Sequence, residues 1–176
     1  MKEALRKEMI KMICVRDGDK ILDVGCGDGT FLSELTRWRD AQGYGTDTSE
    51  DAVNKATATH PDLHIETGYS DFLAFDDDTF RIITVCDDFH TFPQPEKFIQ
   101  EAARTLKPGG RVYLGEVAWP ELIRIILNIL FFLIPSKKGK YHSTYEVLDY
   151  FKNAGLTKYR VYKKKRLLLI SAKKPI

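Results

Sequence analysis

Lys20-Ile-Leu-Asp-Val-Gly-Cys-Gly-Asp-Gly-Thr30 runs from a short apolar stretch into three glycines spaced two apart. Ile21, Leu22 and Val24 are apolar without strict alternation, the pattern of a parallel strand covered on both faces. Asp23 interrupts the run near its carboxyl end, where open α/β sheets bind ligands. A carboxyl in that position is costly to bury unless something pairs with it. Gly25, Gly27 and Gly29 lack a Cβ and reach φ > 0 without strain, so their backbone can lie directly against a ligand. A tight strand-to-helix turn without a ligand is the plainer alternative, and glycine motifs this short do not decide between the two.

The flanking sequence repeats a β-α alternation. Leu5, Met9, Met12 and Ile13 mark a short amphipathic helix within residues 1–19, ended by the turn Arg16-Asp-Gly-Asp19. Phe31, Leu32, Leu35 and Trp38 recur at helical spacing after the first strand. Gly43–Asp47 reads as a second strand, followed by a helix capped by Ser49 and running to about Thr59. Leu63–Thr67 and Phe80–Cys86 are the third and fourth strands, the latter β-branched at its centre. Pro95 opens a helix that stops at Lys107-Pro-Gly-Gly110, and Arg111–Gly115 is the fifth strand. The alternation predicts one α/β domain over residues 1–176, doubly wound around a mostly parallel sheet. A helix from Ser143 to Gly155 precedes strands at 157–162 and 166–172. The gap at Lys163-Lys-Lys165 fits a hairpin, so the last strand is predicted to run antiparallel.

Composition narrows the class without naming it. The chain has 176 residues, 43% hydrophobic and 30% charged, with a formal net charge of +2. This is an ordinary globular balance, too mildly basic to point to nucleic acid. Cys14, Cys26 and Cys86 are odd in number and show no C-x-x-C spacing. They read as reduced thiols of a cytoplasmic protein, with no zinc site implied. The charged start Met1–Glu8 has no apolar core of the signal-peptide kind. Asp76-Asp-Asp78 reads as a solvated loop, and no metal site is expected.

Four segments in order, Leu22–Gly29, Gly45-Thr-Asp47, Phe75–Phe80 and Leu106–Arg111, resemble the class I S-adenosylmethionine-dependent methyltransferases. The likeness is to their small-molecule branch, typified by the ubiquinone and sterol methyltransferases, and it covers roughly residues 20–174. It implies a Rossmann-like, seven-stranded sheet whose last strand is reversed. The nearest competitor, a dinucleotide fold, wants G-x-G-x-x-G, which places a glycine at position 30. Thr30 stands there, and the glycine spacing favours S-adenosylmethionine over NAD.

The resemblance assigns roles residue by residue. Gly25, Cys26 and Gly27 would lie against the methionine end of S-adenosylmethionine (S-adenosylhomocysteine after transfer). Gly29 would allow close packing of the next helix. Asp23 would orient the amino group, unless it only locks the turn. Asp47, followed by Thr48, would accept the ribose hydroxyls, unless it only caps the helix. Relatives commonly read G-D-A-x-x-L-P-F where this chain has Gly68-Tyr-Ser-Asp-Phe-Leu-Ala-Phe75. Tyr69 replaces the usual acid, leaving Ser70, Asp71 and backbone groups to meet the adenine. Cys86 opens the stretch to Pro93 that lines the site near the methyl, where His90 is either a base or a structural hydrogen-bonding residue.

One segment stands apart. Residues 120–136 contain Glu121-Leu-Ile-Arg-Ile-Ile-Leu-Asn-Ile-Leu-Phe-Phe-Leu-Ile134, too short for a membrane span of about 20 residues. Arg124 and Asn128 share one helical face. Four readings remain open: a hydrophobic cover for the substrate cleft, a homodimer interface, a helix lying on a membrane surface with Lys137, Lys138 and Lys140, or plain core. The function implied is methyl transfer to a small, lipophilic or aromatic acceptor, with no nucleic-acid partner. A fold retained without catalysis, with Tyr69 marking the loss, is the competing reading.

Overall fold

The computed structural model describes residues 2–134 and 139–176, so Lys137 and Lys138 lie outside the described residues. Five parallel strands come first: β1 (Lys20–Val24), β2 (Gln42–Asp47), β3 (His64–Thr67), β4 (Phe80–Cys86) and β5 (Leu106–Val117). The C-terminal pair is β6 (Thr157–Lys164) and β7 (Leu167–Lys173). Their order across the seven-stranded sheet is β3-β2-β1-β4-β5-β7-β6, and β7 pairs antiparallel with both β5 and β6. The chain starts in the middle of the sheet and reverses direction at β1. The crevice beyond the carboxyl ends of β1 and β4 is therefore the expected ligand position.

Successive residues of β1 enter different cores. Ile21 packs with Leu5, Met9, Phe31 and Leu32, and Leu22 packs with Phe98, Ile99, Val147 and Phe151. Helices α1 (Lys2–Met12) and α2 (Thr30–Thr36) thus cover one face. The other face is covered by α4 (Pro95–Thr105) and α6 (Thr144–Asn153), while α3 (Glu50–Thr59) connects β2 to β3. Gly115 gives α1 its seat, since a Cβ there would run into the Met9 side chain.

Some boundaries differ from the sequence reading. Helix α2 ends at Thr36, leaving Trp38 exposed beneath the Arg37 guanidinium, 4.3 Å from the ring centroid. Lys107–Gly110 belongs to β5, because the Lys174 N–H bonds the Gly110 carbonyl (2.9 Å) and Gly109 N–H bonds Lys174 O (3.1 Å). Long-range pairing there outweighs the local turn signal. The final turn falls at Lys165-Arg166, with Lys165 at φ 55°.

Helix α5 (Glu121–Leu133) buries none of its residues, which removes the core-packing reading. Its Arg124 and Asn128 side chains point at the protein. Asn128 Nδ2 donates to Tyr141 O (3.0 Å), its Oδ1 accepts from Tyr141 N (2.8 Å), and Arg124 reaches the same carbonyl (3.4 Å). The apolar side faces outward, with Leu122, Ile126, Ile129, Phe132 and Leu133 exposed. Of the open readings, a hydrophobic cover finds little support, since the α5 residues that line the neighbouring cavity are Glu121 and Arg124.

Candidate cofactor and acceptor site

Gly25, Gly27 and Gly29 stand at φ 75°, 56° and 75°, alternating left-handed turns that side-chain-bearing residues resist. The loop folds over the end of β2. Gly25 and Cys26 N–H both donate to the Thr46 carbonyl (2.8 and 3.1 Å), and Gly27 N–H donates to Asp47 Oδ2 (2.8 Å). A Cβ on Gly25 would strike the Asp88 carboxylate, whereas one on Gly27 would meet nothing within 4 Å. Bare backbone at Gly27 thus faces an open slot. Gly29 approaches Ile65 and His60 (3.1 and 3.2 Å from a Cβ there), so its closeness serves packing beside β3.

Carboxylates ring this slot. Asp23 is 2% exposed, and its Oδ1 accepts the Thr84 hydroxyl (2.7 Å). Burial pushes its carboxyl up to about 7, against the lowering pull of Thr84 and the Arg6 charge. Asp47 holds two backbone amides, Gly27 through Oδ2 and Ser49 through Oδ1 (3.0 Å), and each oxygen retains a further acceptor position. The helix-capping role falls to Ser49, whose hydroxyl accepts from Ala52 N–H. Asp88 over Gly25 is also raised by burial, although its carboxylate accepts the Thr91 hydroxyl.

Arg6 of α1 is the cation of this ring. Its Nη2 lies 3.9 Å from Asp28 Oδ1, and its buried Nε has no hydrogen-bond partner. An unpaired buried guanidinium N–H is expensive and marks a place for an anionic acceptor. Sequence reading missed Arg6 because a single cation on an amphipathic helix carries no local signal.

Other expected residues are placed differently. Cys26 Sγ packs toward Gly45 and Cys86 sits among Leu5, Met9 and Ile82, so both side chains serve packing. Burial raises both thiols, Cys86 to about 12. Thr48 is exposed. Gly68 N–H bonds Asp47 O (3.0 Å), which ties the 68–75 segment to the slot; Ser70 there is buried and Asp71 accepts from Gln94 Nε2 (2.6 Å). Tyr69 and Phe72 flank this turn with exposed rings. Of the acidic loop, Asp77 pairs with Arg104 (2.8 Å) and Asp78 with Lys174 (2.7 Å).

His90 sits on a single 3-10 turn, Phe89–Thr91. Glu116 Oε1 accepts its backbone N–H (3.1 Å), and Oε2 lies 3.1 Å from ring Nδ1. The ring stacks on Tyr141, with centroids 4.5 Å apart. Burial disfavours charging this imidazole, but Glu116, with Asp87 and Asp88 behind it, prevails and raises its pKa. Register brings Glu116 to this turn: Cys86 pairs with Gly115 across β4 and β5, which sets the following residues, Asp87 and Glu116, side by side, and the Phe89–Thr91 turn then carries His90 back to Glu116. Asp87, His90 and Glu116 offer donor atoms within 4.8 Å of one another, a set that could hold a cation. The His90–Glu116 hydrogen bonds account for the same closeness without one.

His90 and Glu116 also wall a cavity of about 410 Å³ with Trp119, Arg124, Tyr141 and His142. Trp119 Nε1 and His142 Nδ1 are buried without hydrogen-bond partners. Burial lowers His142 to about 4, so its ring is neutral at physiological pH. Since Asp88 overhangs Gly25 and His90 lines the cavity, one turn separates a glycine-floored slot from a half-apolar chamber.

A sequence model of the methyltransferase domain family matches residues 2–161. The chain is a member of the class I S-adenosylmethionine-dependent methyltransferase family. Over 141 residues it is 29% identical to 27-O-demethylrifamycin SV methyltransferase of Amycolatopsis mediterranei, covering 77% of this chain and 47% of that protein. Over 134 residues it is 31% identical to demethylmenaquinone methyltransferase of Shouchella clausii, covering 72% of this chain and 57% of that protein. The chain therefore spans about half the length of these relatives. The YcgJ protein of Bacillus subtilis shares the fold, with a TM-score of 0.85 at 20% identity over 99% of both chains. The doubly wound sheet with its reversed β7 is thus the family's architecture, as the glycine spacing and the C-terminal hairpin predict.

Proposed function

We propose that this methyltransferase-family chain moves the methyl group of S-adenosylmethionine to a lipophilic or aromatic small molecule bound beside His90. The observation that carries the reading is the pairing of the open slot over Gly27 with the cavity behind Asp88. The slot's chemistry fits the cofactor. Arg6 Nε offers an unpaired donor for its carboxylate, Asp23 an acceptor for its ammonium, and Asp47 free acceptor positions for a ribose diol. The exposed rings of Tyr69 and Phe72 offer faces for adenine where relatives place an acid. Arg6, beside Asp28 and with its charge felt at Asp23, also suits a ligand that carries both positive and negative centres.

S-adenosylmethionine supplies an activated methyl, so the protein's work is alignment, water exclusion and proton management. Leu114, Val117, Leu168 and Ile170 give the cavity apolar walls, while Trp119 Nε1 and His142 present polar groups that fix orientation. With S-adenosylmethionine bound, His90 would take up the proton that the acceptor's nucleophilic atom gives up as the methyl leaves sulfur for it and S-adenosylhomocysteine is released. Its Nε2 is the nitrogen left for this, because Nδ1 faces Glu116. The positive charge then gained by the ring is stabilised by Glu116. Relatives named for rifamycin, menaquinone and phthiotriol dimycocerosate methylation support an acceptor of this lipophilic class.

Calorimetric titration with S-adenosylmethionine and S-adenosylhomocysteine tests the slot, with Asp47→Ala expected to abolish binding. Transfer of labelled methyl to a panel of phenols, quinols and polyketide alcohols tests the cavity. Binding without transfer to any acceptor would favour a retained fold without catalysis.

A further inference from the structure

We infer that the outward face of α5, with the basic end of the β6–β7 hairpin, is a docking surface for an anionic lipid bilayer. The inference goes beyond methyl transfer and does not rest on it. An amphipathic helix normally turns its apolar side to the core. Helix α5 does the reverse: Arg124 and Asn128 are bonded inward to the 141 backbone, while Leu122, Ile126, Ile129, Phe132 and Leu133 are exposed. Phe132 is 87% exposed. A contiguous apolar face of this kind on a helix marks an interaction site.

Charge selects the occupant. Arg166 stacks on Trp119, two residues before α5 begins, with its guanidinium 4.1 Å from the ring centroid. That contact sets the end of the hairpin, Lys163-Lys-Lys-Arg166, beside the start of α5. Lys140 follows the other end of the helix. Lys140 is paired with Glu146 (2.6 Å) and Lys164 with Glu8 (3.1 Å), which leaves Lys163, Lys165 and the exposed Arg166 to meet an anionic surface. Tyr145, exposed beside the cavity mouth, adds an amphipathic ring of the kind that suits a headgroup layer. An apolar strip flanked by cations matches acyl chains below and phosphates around it.

A second copy of the chain fits less well. Apposing two such faces about a two-fold axis brings cationic flanks together. No helix among the described residues is long and apolar enough to cross a membrane, so the contact is peripheral. Glu121 and Arg124 of α5 and Lys163 and Leu168 of the hairpin line the same cavity.

Vesicle co-sedimentation decides the matter, using phosphatidylcholine vesicles with and without phosphatidylglycerol. The chain is expected to sediment with the anionic vesicles, and less at high salt. The double substitution Phe132→Ser/Leu133→Ser should weaken binding about tenfold or more, the loss of roughly two apolar anchors. Both side chains are exposed, and circular dichroism checks that the variant folds. Lys165→Glu, a single turn residue, should weaken binding to anionic vesicles even if the double variant fails to fold. Titration with S-adenosylmethionine should be unchanged in both variants, keeping this result separate from the catalytic reading. Failure of the parent chain to bind either vesicle, binding indifferent to these substitutions, or self-association through Phe132 in place of vesicle binding would each overturn the inference.

Discussion

Glu116 grips His90 twice, through the backbone N–H at Oε1 (3.1 Å) and through ring Nδ1 at Oε2 (3.1 Å). The first contact fixes the turn and the second fixes the imidazole, so a carboxylate on β5 sets both position and basicity of a residue beyond β4. The consequence for pH follows from the raised His90 pKa. Only the neutral ring accepts a proton, so kcat should rise with pH through that raised value. Glu116→Gln should shift the rising limb to lower pH and lower kcat by about 10- to 100-fold, while His90→Ala should lose roughly 10²–10⁴. A pH–rate profile with a responsive acceptor checks both; an unmoved limb in Glu116→Gln would remove Glu116 from its positioning role.

Asp23 makes a linked prediction. Its carboxyl titrates at about 7 because it is buried. An ammonium brought against it lowers that value, so binding S-adenosylmethionine near neutral pH should release protons from Asp23. Calorimetry in buffers of different ionisation enthalpy measures that release, and Asp23→Asn should abolish it while weakening affinity. The same group affects stability with a definite sign. The folded pKa lies above the unfolded one, so its contribution is intact below about pH 4 and is lost as pH rises through about 7. Denaturant titrations should show Asp23→Asn flattening that decline, by at most about 4 kcal/mol at the alkaline end.

The architecture could be read from the sequence because local and global signals agreed. Glycines at 25, 27 and 29, the β-branched fourth strand and the 163–165 gap each pointed to an element that formed. Boundaries moved where long-range pairing decided them, as at Lys107–Gly110. The glycine loop with Asp23, and Asp47, were legible because they lie in one continuous stretch plus the end of the next strand, whereas Arg6 and Asp88 reach the slot from other segments and were not. The cavity was not, since Glu116, Trp119, Tyr141 and His142 come from separate segments and meet only through sheet register and the seating of α5. The role of helix α5 stayed open in the sequence for a related reason. Its periodicity defined two faces, but which one turned inward depended on hydrogen bonds to the Tyr141 backbone.

The Asp87–His90–Glu116 set allows a choice between a bound cation and a hydrogen-bonded acid–base pair. The paired geometry at 3.1 Å favours the second. Prolonged dialysis against a chelator should therefore leave methyl transfer unchanged, and adding magnesium or manganese afterwards should not raise it. Loss of activity on chelation, restored by one divalent ion, would assign the set to metal binding instead.

Gly27→Ala separates the cofactor slot from ordinary turn geometry. Gly27 has φ 56°, so an alanine there pays a left-handed penalty of about 1–2 kcal/mol. The added methyl meets no protein atom within 4 Å, so no clash adds to that cost in the ligand-free chain. If the space over Gly27 is where the cofactor lies, the same methyl intrudes on the ligand. The variant should then stay folded with a modestly lower Tm, yet bind S-adenosylhomocysteine at least about tenfold more weakly, a loss of roughly 1.4 kcal/mol. Gly25→Ala is the contrasting case: its Cβ meets the Asp88 carboxylate, so stability and binding should fall together. Thermal melts with and without S-adenosylhomocysteine distinguish the two variants, because only a ligand that occupies the slot makes Gly27→Ala lose its ligand-induced stabilisation while its ligand-free melt stays near the parent's.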